Sequence, residues 1–257
     1  MSVDSTAQSG TFMTSLMSRL SSWWDGEESA IDDGALNSDT ADQGGEMADG
    51  AGWPAPRLAA AQMLFGEGCT FPGSKRAIIQ LIEPLQLSKG MTVVDIGAGI
   101  GTASRIIAQE TGASVEGLEI DPGQVELAQQ FAEKAGLSDQ VSAIEGALGN
   151  CSIEPDSRDA IFSREALLGV ADKPAAFMDM WTMLKPGGQI LLVDFVAKSS
   201  AGAKEDAADW GKFEIIKPHM ATMDQIKQGL SAPILMCTRP TISRMPSAAI
   251  SCTAWRA

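Results

Sequence analysis

From Met91 onward the chain alternates two kinds of pattern. Short, nearly unbroken apolar runs are followed by longer stretches in which apolar residues return every three or four positions. The first pattern suits strands covered on both faces, and the second suits amphipathic helices. Strands are predicted at 91–96, 114–120, 141–145, 160–163 and 188–195. Helices are predicted between them at 102–111, 123–135 and 177–184. Ahead of this series, 74–85 carries Ile78, Ile79, Leu81 and Ile82 in a helical stripe. After it, 223–229 reads as a helix, and 234–238 and 248–255 as strands. The alternation predicts an α/β fold, doubly wound, with a mostly parallel seven-stranded sheet and helices on both faces.

The N-terminal quarter follows other rules. From Thr11 to Trp24, Phe12, Met13, Leu16, Met17, Leu20, Trp23 and Trp24 share one helical face, and Thr14, Ser15, Ser18, Arg19, Ser21 and Ser22 fill the other. Residues 1–24 are therefore expected to hold an amphipathic helix. Its apolar face suits a membrane interface, a partner groove, or packing back on its own domain. The polar face has one cation, which weakens attraction to an anionic membrane. Residues 25–52 contain nine acids and no Lys or Arg. Such a stretch cannot bury enough apolar surface to fold alone, so it reads as an acidic flexible linker. The folded domain is expected to occupy 53–257.

Charge narrows the ligand classes. The formal net charge is −14. Residues 1–57 hold ten acids and two bases, and 58–257 hold 23 acids and 17 bases. Nucleic acid is a poor partner for such a chain, because phosphate neutralisation needs clustered Lys and Arg. The four cysteines, Cys69, Cys151, Cys237 and Cys252, form no CxxC pair, and one His is present. No metal site is expected. The cysteine usage fits a reducing compartment. No apolar run of about 18 residues is present, and the N-terminus shows no basic leader. The expected location is cytoplasmic, peripheral at a membrane where the 11–24 helix docks there.

The chemistry concentrates in Val93-Val94-Asp95-Ile96-Gly97-Ala98-Gly99-Ile100-Gly101-Thr102. A buried strand runs into a glycine turn and then a helix. Glycines at every second position keep side chains away from a bound ligand, which sits against N–H groups at the helix N-terminus. The spacing is G-x-G-x-G, not the G-x-G-x-x-G of dinucleotide sites. Asp95 lies two residues before the first glycine, where it would repel a pyrophosphate and attract an ammonium or sulfonium group. The second strand ends in Glu119, about 20 residues past the turn, placed to accept hydrogen bonds from ribose hydroxyls. Together these features point to a nucleoside-type cofactor with a cationic arm.

On these residues the chain resembles the class I S-adenosylmethionine-dependent methyltransferases, over roughly residues 60–230. Val94 to Gly101 is similar to their first motif, Val115 to Asp121 to their ribose-binding strand end, and Met183 to Gly188 to the turn before their fifth strand. The resemblance implies a Rossmann-like sheet with S-adenosyl-L-methionine as cofactor. It places Asp95 and Gly97 beside the methionine part, with Ala98, Gly99 and Gly101 completing the turn. It gives Glu119 to the ribose and Ile120 to the adenine. Ala147 and Leu148 follow the third strand, where the family often carries an Asp that contacts the adenine amine. Ala147 cannot make that bond, a loss of roughly 0.5–1.5 kcal/mol.

A second, local resemblance is to phosphoethanolamine N-methyltransferases. It rests on Phe65-Gly66-Glu67-Gly68 with Pro72-Gly73, and on Phe162-Ser163-Arg164-Glu165-Ala166-Leu167-Leu168. It implies that Arg164 lies near the cofactor, that Thr70 and Phe71 lie over it, and that Glu165 faces an acceptor amine as base or anchor. Glu165 reads equally as an acid favoured at a helix N-terminus. The Tyr–His pair of that family is absent: the chain has no Tyr, Gly169 occupies the His position, and the Tyr position falls near Trp53. Its helical insertion is expected to be missing too, so phosphoethanolamine is not assigned as substrate.

Methyl transfer requires mainly proximity and alignment, with a base only where the acceptor sheds a proton. Glu165 and His219 are the catalytic candidates; His219, in Lys217-Pro218-His219-Met220, reads alternatively as an exposed loop residue. The expected activity is methyl transfer to a small-molecule or lipid-like acceptor. The competing reading is a catalytically inactive scaffold or assembly factor, motivated by Ala147, the absent Tyr–His pair and the tethered helix. The intact glycines and Glu119 argue for the enzyme.

Overall fold

The structure is a computed structural model that describes residues 55–71, 74–197, 199, 217–231 and 251–252. The amphipathic helix expected at 11–24, the linker at 25–52 and the strand at 234–238 lie outside the described residues.

Helix α1 (Ala55–Phe65) and helix α2 (Ser74–Ile82) precede the sheet. Strand β1 (Thr92–Ile96) leads into α3 (Thr102–Thr111), β2 (Ser114–Glu119) into α4 (Pro122–Lys134), and β3 (Val141–Glu145) is followed by β4 (Arg158–Arg164). Helix α5 (Lys173–Met183) runs into β5 (Leu184–Val193). Helix α6 (Met223–Ser231) and the two-residue β6 (Ser251–Cys252) complete the described chain. The strand order is β3-β2-β1-β4-β5-β6, and every paired ladder is parallel. Six strands are seen among the described residues against the seven expected; the 234–238 strand is not among them, and β6 falls within the expected 248–255 strand.

Alternate residues of each inner strand serve opposite layers, as the two-residue strand period requires. Val93, Phe162 and Leu191 pack with Ile78, Ile82, Ile106 and Ile107 from α2 and α3. Val94, Ile161 and Leu192 pack with Phe177, Met180, Ile226 and Leu230 from α5 and α6. Both faces of the sheet are therefore covered, and the apolar runs of β1, β4 and β5 follow from that.

One helix and three boundaries depart most from expectation, each for a local reason. Helix α1 was not expected: its buried Leu58 and Ala61 are outweighed by exposed Met63 and Leu64, so no clean stripe exists. The 74–85 helix ends at Ile82 and continues as a 3-10 turn over Glu83–Leu85, because Pro84 cannot donate to the helical ladder. Helix α5 begins four residues before the expected Phe177, with Asp172 accepting the Ala175 N–H at 3.0 Å and Pro174 in the first turn. Strand β5 begins at Leu184, whose pairing with Arg158 is separated by a register shift from the regular ladder starting at Ala160 and Gln189.

Candidate active site

The carboxyl ends of the parallel strands meet at the β1–α3 turn. Gly97, Gly99 and Gly101 all have positive φ, at 71°, 56° and 73°. A Cβ at Gly97 would stand 2.4 Å from the Cβ of Ala166, and one at Gly101 would stand 3.2 Å from that of Ala128. The alternating glycines thus answer first to left-handed backbone and close protein neighbours, and the expectation that they simply clear room for a ligand is corrected. Gly117 in β2 belongs to the same packing, since a Cβ there would lie 2.8 Å from the Cβ of Ala98.

The turn's N–H groups differ from expectation in the same way. Gly97 and Ala98 donate to the Leu118 carbonyl at 2.9 and 3.2 Å. Gly99 donates to Glu119 Oε2 at 2.8 Å. These three amides brace the turn against β2 and are not free to cradle a ligand. Glu119 Oε1 accepts the N–H groups of Ile120 at 2.9 Å and Asp121 at 3.1 Å. A carboxylate offers about four lone-pair sites, so roughly one is left to face a ligand.

Asp95 is buried at 2 % exposure and accepts the Ser104 hydroxyl at 2.6 Å. Burial pushes its carboxyl up to about 7, with the Glu119 charge adding to the rise and the Ser104 bond opposing it. A cation bound beside Asp95 would relieve that penalty.

The segment before α2 is pinned to this turn through one carbonyl. Gly68 O accepts Thr102 Oγ1 at 2.7 Å and the Arg105 guanidinium at 2.5 Å, while Gly68 N–H donates to Gln62 Oε1 at 3.0 Å. Arg105 also lies over the Phe131 ring at 5.0 Å. This anchorage sets Thr70 and Phe71 on the wall of the site. Arg164 stacks over Phe71 at 3.9 Å and pairs with Glu165 at 3.0 Å. Glu165 takes φ 57°, uncommon for a residue with a side chain, and its N–H donates to the Val193 carbonyl at 2.7 Å.

One cavity of about 640 Å³ joins these residues, within the usual range for small-molecule sites. Thr70, Phe71, Asp95, Gly97, Ala98, Gly99, Glu119, Ile120, Ala147, Leu148, Arg164 and Glu165 all line it. Two expected residues do not. Gly101 faces Ala128 and Arg105. His219 lies behind the wall: its N–H donates to the Leu168 carbonyl at 2.7 Å, and its own carbonyl accepts the Lys173 ammonium. His219 is not among the residues that line the cavity, so the structure brings it together with neither Glu165 nor Asp95 there.

Other lining residues escaped the sequence reading, among them Arg57, Gln124, Asp172, Asp179 and Phe195. A signal existed for two of them: Asp172, Ala175, Ala176 and Asp179 recur at helix spacing and share one face of α5. Asp194 also went unnoticed. It follows β5, accepts the N–H groups of Leu167 at 2.9 Å and Phe195 at 2.8 Å, and fixes the turn that carries Glu165. Burial raises its carboxyl to about 6.

A methyltransferase-domain family profile matches residues 87–230. The chain belongs to the S-adenosylmethionine-dependent methyltransferases. Among curated members it is 31% identical over 134 residues to methyltransferase GfsG of Streptomyces halstedii, covering 52% of this chain and 47% of that one. It is also 31% identical over 137 residues to phosphoethanolamine N-methyltransferase 1 of Arabidopsis thaliana, covering 52% of this chain and 27% of that one. The chain thus spans less than half the length of these methyltransferases. The fold is shared with phosphoethanolamine N-methyltransferase 2 of Haemonchus contortus in complex with S-adenosyl-L-methionine, at a TM-score of 0.58, 23% identity, and coverage of 68% of this chain and 40% of that one.

The site suits the family's cofactor on its own chemistry. Its lining combines two buried carboxylates, which favour a cationic ligand, with the apolar side chains of Ile120 and Leu148, which favour a flat ring. Among the described residues no helix is long and apolar enough to cross a membrane.

Proposed function

We propose that this chain transfers a methyl group from S-adenosylmethionine to a small-molecule acceptor, lipid-like molecules included. The observation that carries the reading is a single cavity running from Asp95 and Glu119 at the β1 and β2 ends to Glu165 and Phe195 at the β4 and β5 ends. The bound cofactor supplies a methyl group activated by a positively charged sulfur. The chain's own part is alignment and charge. Asp95 favours a cation at the bottom of the cavity, and Glu119 turns its remaining acceptor capacity to ribose hydroxyls. Ile120 and Leu148 offer apolar surface to a base. Arg164, held by its stack on Phe71, restrains Glu165 at the far end. There Glu165 would anchor an acceptor amine, or take the proton that an amine or hydroxyl sheds as its lone pair bonds to the methyl carbon, the carbon–sulfur bond breaking with its electron pair left on the then neutral sulfur.

The test is transfer of labelled methyl from S-adenosylmethionine into a small-molecule and lipid extract, with the wild-type chain and with Glu165→Gln. Label that enters the extract with wild type and is lost with the variant supports the reading. S-adenosylhomocysteine binding without label transfer into small molecules overturns the enzymatic half of it.

A further inference from the structure

The cavity lining also includes residues after β3 and on α5. One wall is the turn after β3, Ala147 to Gly149, and the opposite wall is the face of α5 that carries Ala175, Ala176 and Asp179. The two alanines keep the helix wall low, so a slot remains between helix and turn. Ile120, next to Glu119, lines the same cavity. The side chains of this slot are otherwise apolar, and Ala147 presents only a methyl group where a hydrogen-bond acceptor would be useful.

Asp179 is the exception. Its Oδ2 would stand 3.3 Å from a Cβ on Gly149, so the carboxylate crosses from the helix to the turn. Among the described residues no hydrogen bond or ion pair engages it, and burial alone holds its carboxyl above the ordinary range. The other acid on this face differs: Asp172 accepts the Ala175 N–H at 3.0 Å as the helix cap. An unpartnered, half-buried carboxylate in a mostly apolar slot is costly unless a ligand donates to it. A flat heteroaromatic ring with an exocyclic amine meets both demands. Its faces pack on Ile120 and the small residues, and its amine donates to the carboxylate.

We propose that Asp179 reads the exocyclic amine of the cofactor's adenine, so that base recognition in this chain comes from α5 and not from the residue after β3. The assignment rests on the cofactor site proposed above. It makes Asp179 a specificity-determining residue: an oxo group in place of the amine would face the carboxylate with a lone pair and no proton.

Calorimetric titration of the full chain with S-adenosylhomocysteine and with its 6-oxo, hypoxanthine analogue tests this. Wild type is expected to prefer the adenine ligand by about ten-fold or more. Asp179→Ala is expected to lose roughly that factor for S-adenosylhomocysteine and none for the analogue, so that the ratio falls toward one. Asp179→Asn keeps the side-chain shape and can donate to the oxo group, so its preference should move to the analogue; it decides the matter if the alanine variant does not fold. A ratio unchanged by either folded variant, or an equal loss for both ligands, overturns the Asp179 assignment and leaves the cofactor site standing. Wild type that binds neither ligand overturns the cofactor site and this assignment with it.

Discussion

Glu119 accepts the Gly99 N–H at 2.8 Å across 20 residues of chain, joining the end of β2 to the middle of the glycine turn. The same carboxylate lines the cavity. It is both a strut for the turn and a candidate ligand contact, and substitution should expose both roles. Glu119→Ala leaves three backbone N–H groups without their acceptor. It should weaken S-adenosylhomocysteine binding by about ten-fold or more and lower stability by roughly 1–3 kcal/mol. Calorimetry and urea unfolding report the two effects separately. Unchanged affinity in a folded variant would remove Glu119 from the ribose site.

Gly97 and Ala166 are similarly matched. Gly97→Ala adds a Cβ 2.4 Å from that of Ala166, on a backbone with φ 71°. A loss of about 2 kcal/mol or more is expected from overpacking and strain together. Ala166→Gly in the same molecule should recover the overpacking part and leave the strain. A double-mutant cycle measured by urea unfolding gives the coupling; additive losses would show that the two side chains do not compete for space.

Asp95 should shape stability against pH. Its carboxyl is raised from 3.8 to about 7 in the folded chain, chiefly by burial. Between those values the folded chain holds a proton that the unfolded chain has released. Stability contributed by this group is therefore greatest at acid pH, falls as pH rises from about 4 to about 7, and is flat above. Asp194, raised to about 6, works in the same direction over a narrower window. Asp95→Asn should be more stable than wild type at pH 8 and should gain less, or nothing, at pH 5. Urea midpoints at the two pH values check this, and parallel pH profiles for the two proteins would refute it.

Glu165 invites a test in which stability and activity part company. Its φ of 57° costs a residue with a side chain about 1 kcal/mol that glycine avoids. Glu165→Gly should keep or raise the melting temperature while methyl transfer falls. Glu165→Gln keeps the strain and should lose methyl transfer without the stabilisation. Full activity in both variants would leave Glu165 with no part in acceptor chemistry.

Most of the sheet is legible in the chain because β1, β4 and β5 are covered on both faces and so read as continuous apolar runs. The cofactor end is legible for a different reason: Asp95, the glycine turn and Glu119 lie within 25 residues, and local spacing carries them. What stays hidden depends on the third dimension. Asp194 and Glu165 are brought together by the β4–β5 ladder, and no spacing rule reveals that. Gly117 is an ordinary strand residue until Ala98 is set against it. His219 draws attention as the chain's one imidazole, yet its backbone packs on Leu168 and Lys173 and its ring stands outside the cavity lining. Helix α1 was missed because exposed Met63, Leu64 and Phe65 blur its stripe. The glycine turn is legible from its spacing, but the bonds of its Gly97, Ala98 and Gly99 amides to β2 are not.

The parallel order β3-β2-β1-β4-β5 has a consequence for how the chain reaches its working state. Cavity residues run from Arg57 to Phe195, and none of the walls is complete until strands distant in sequence have paired. Parallel pairing of this kind has high contact order and is slow. Ligand affinity should therefore appear late in refolding, after most helical signal has returned, and occupancy of the cavity should then draw the population toward the finished sheet by mass action.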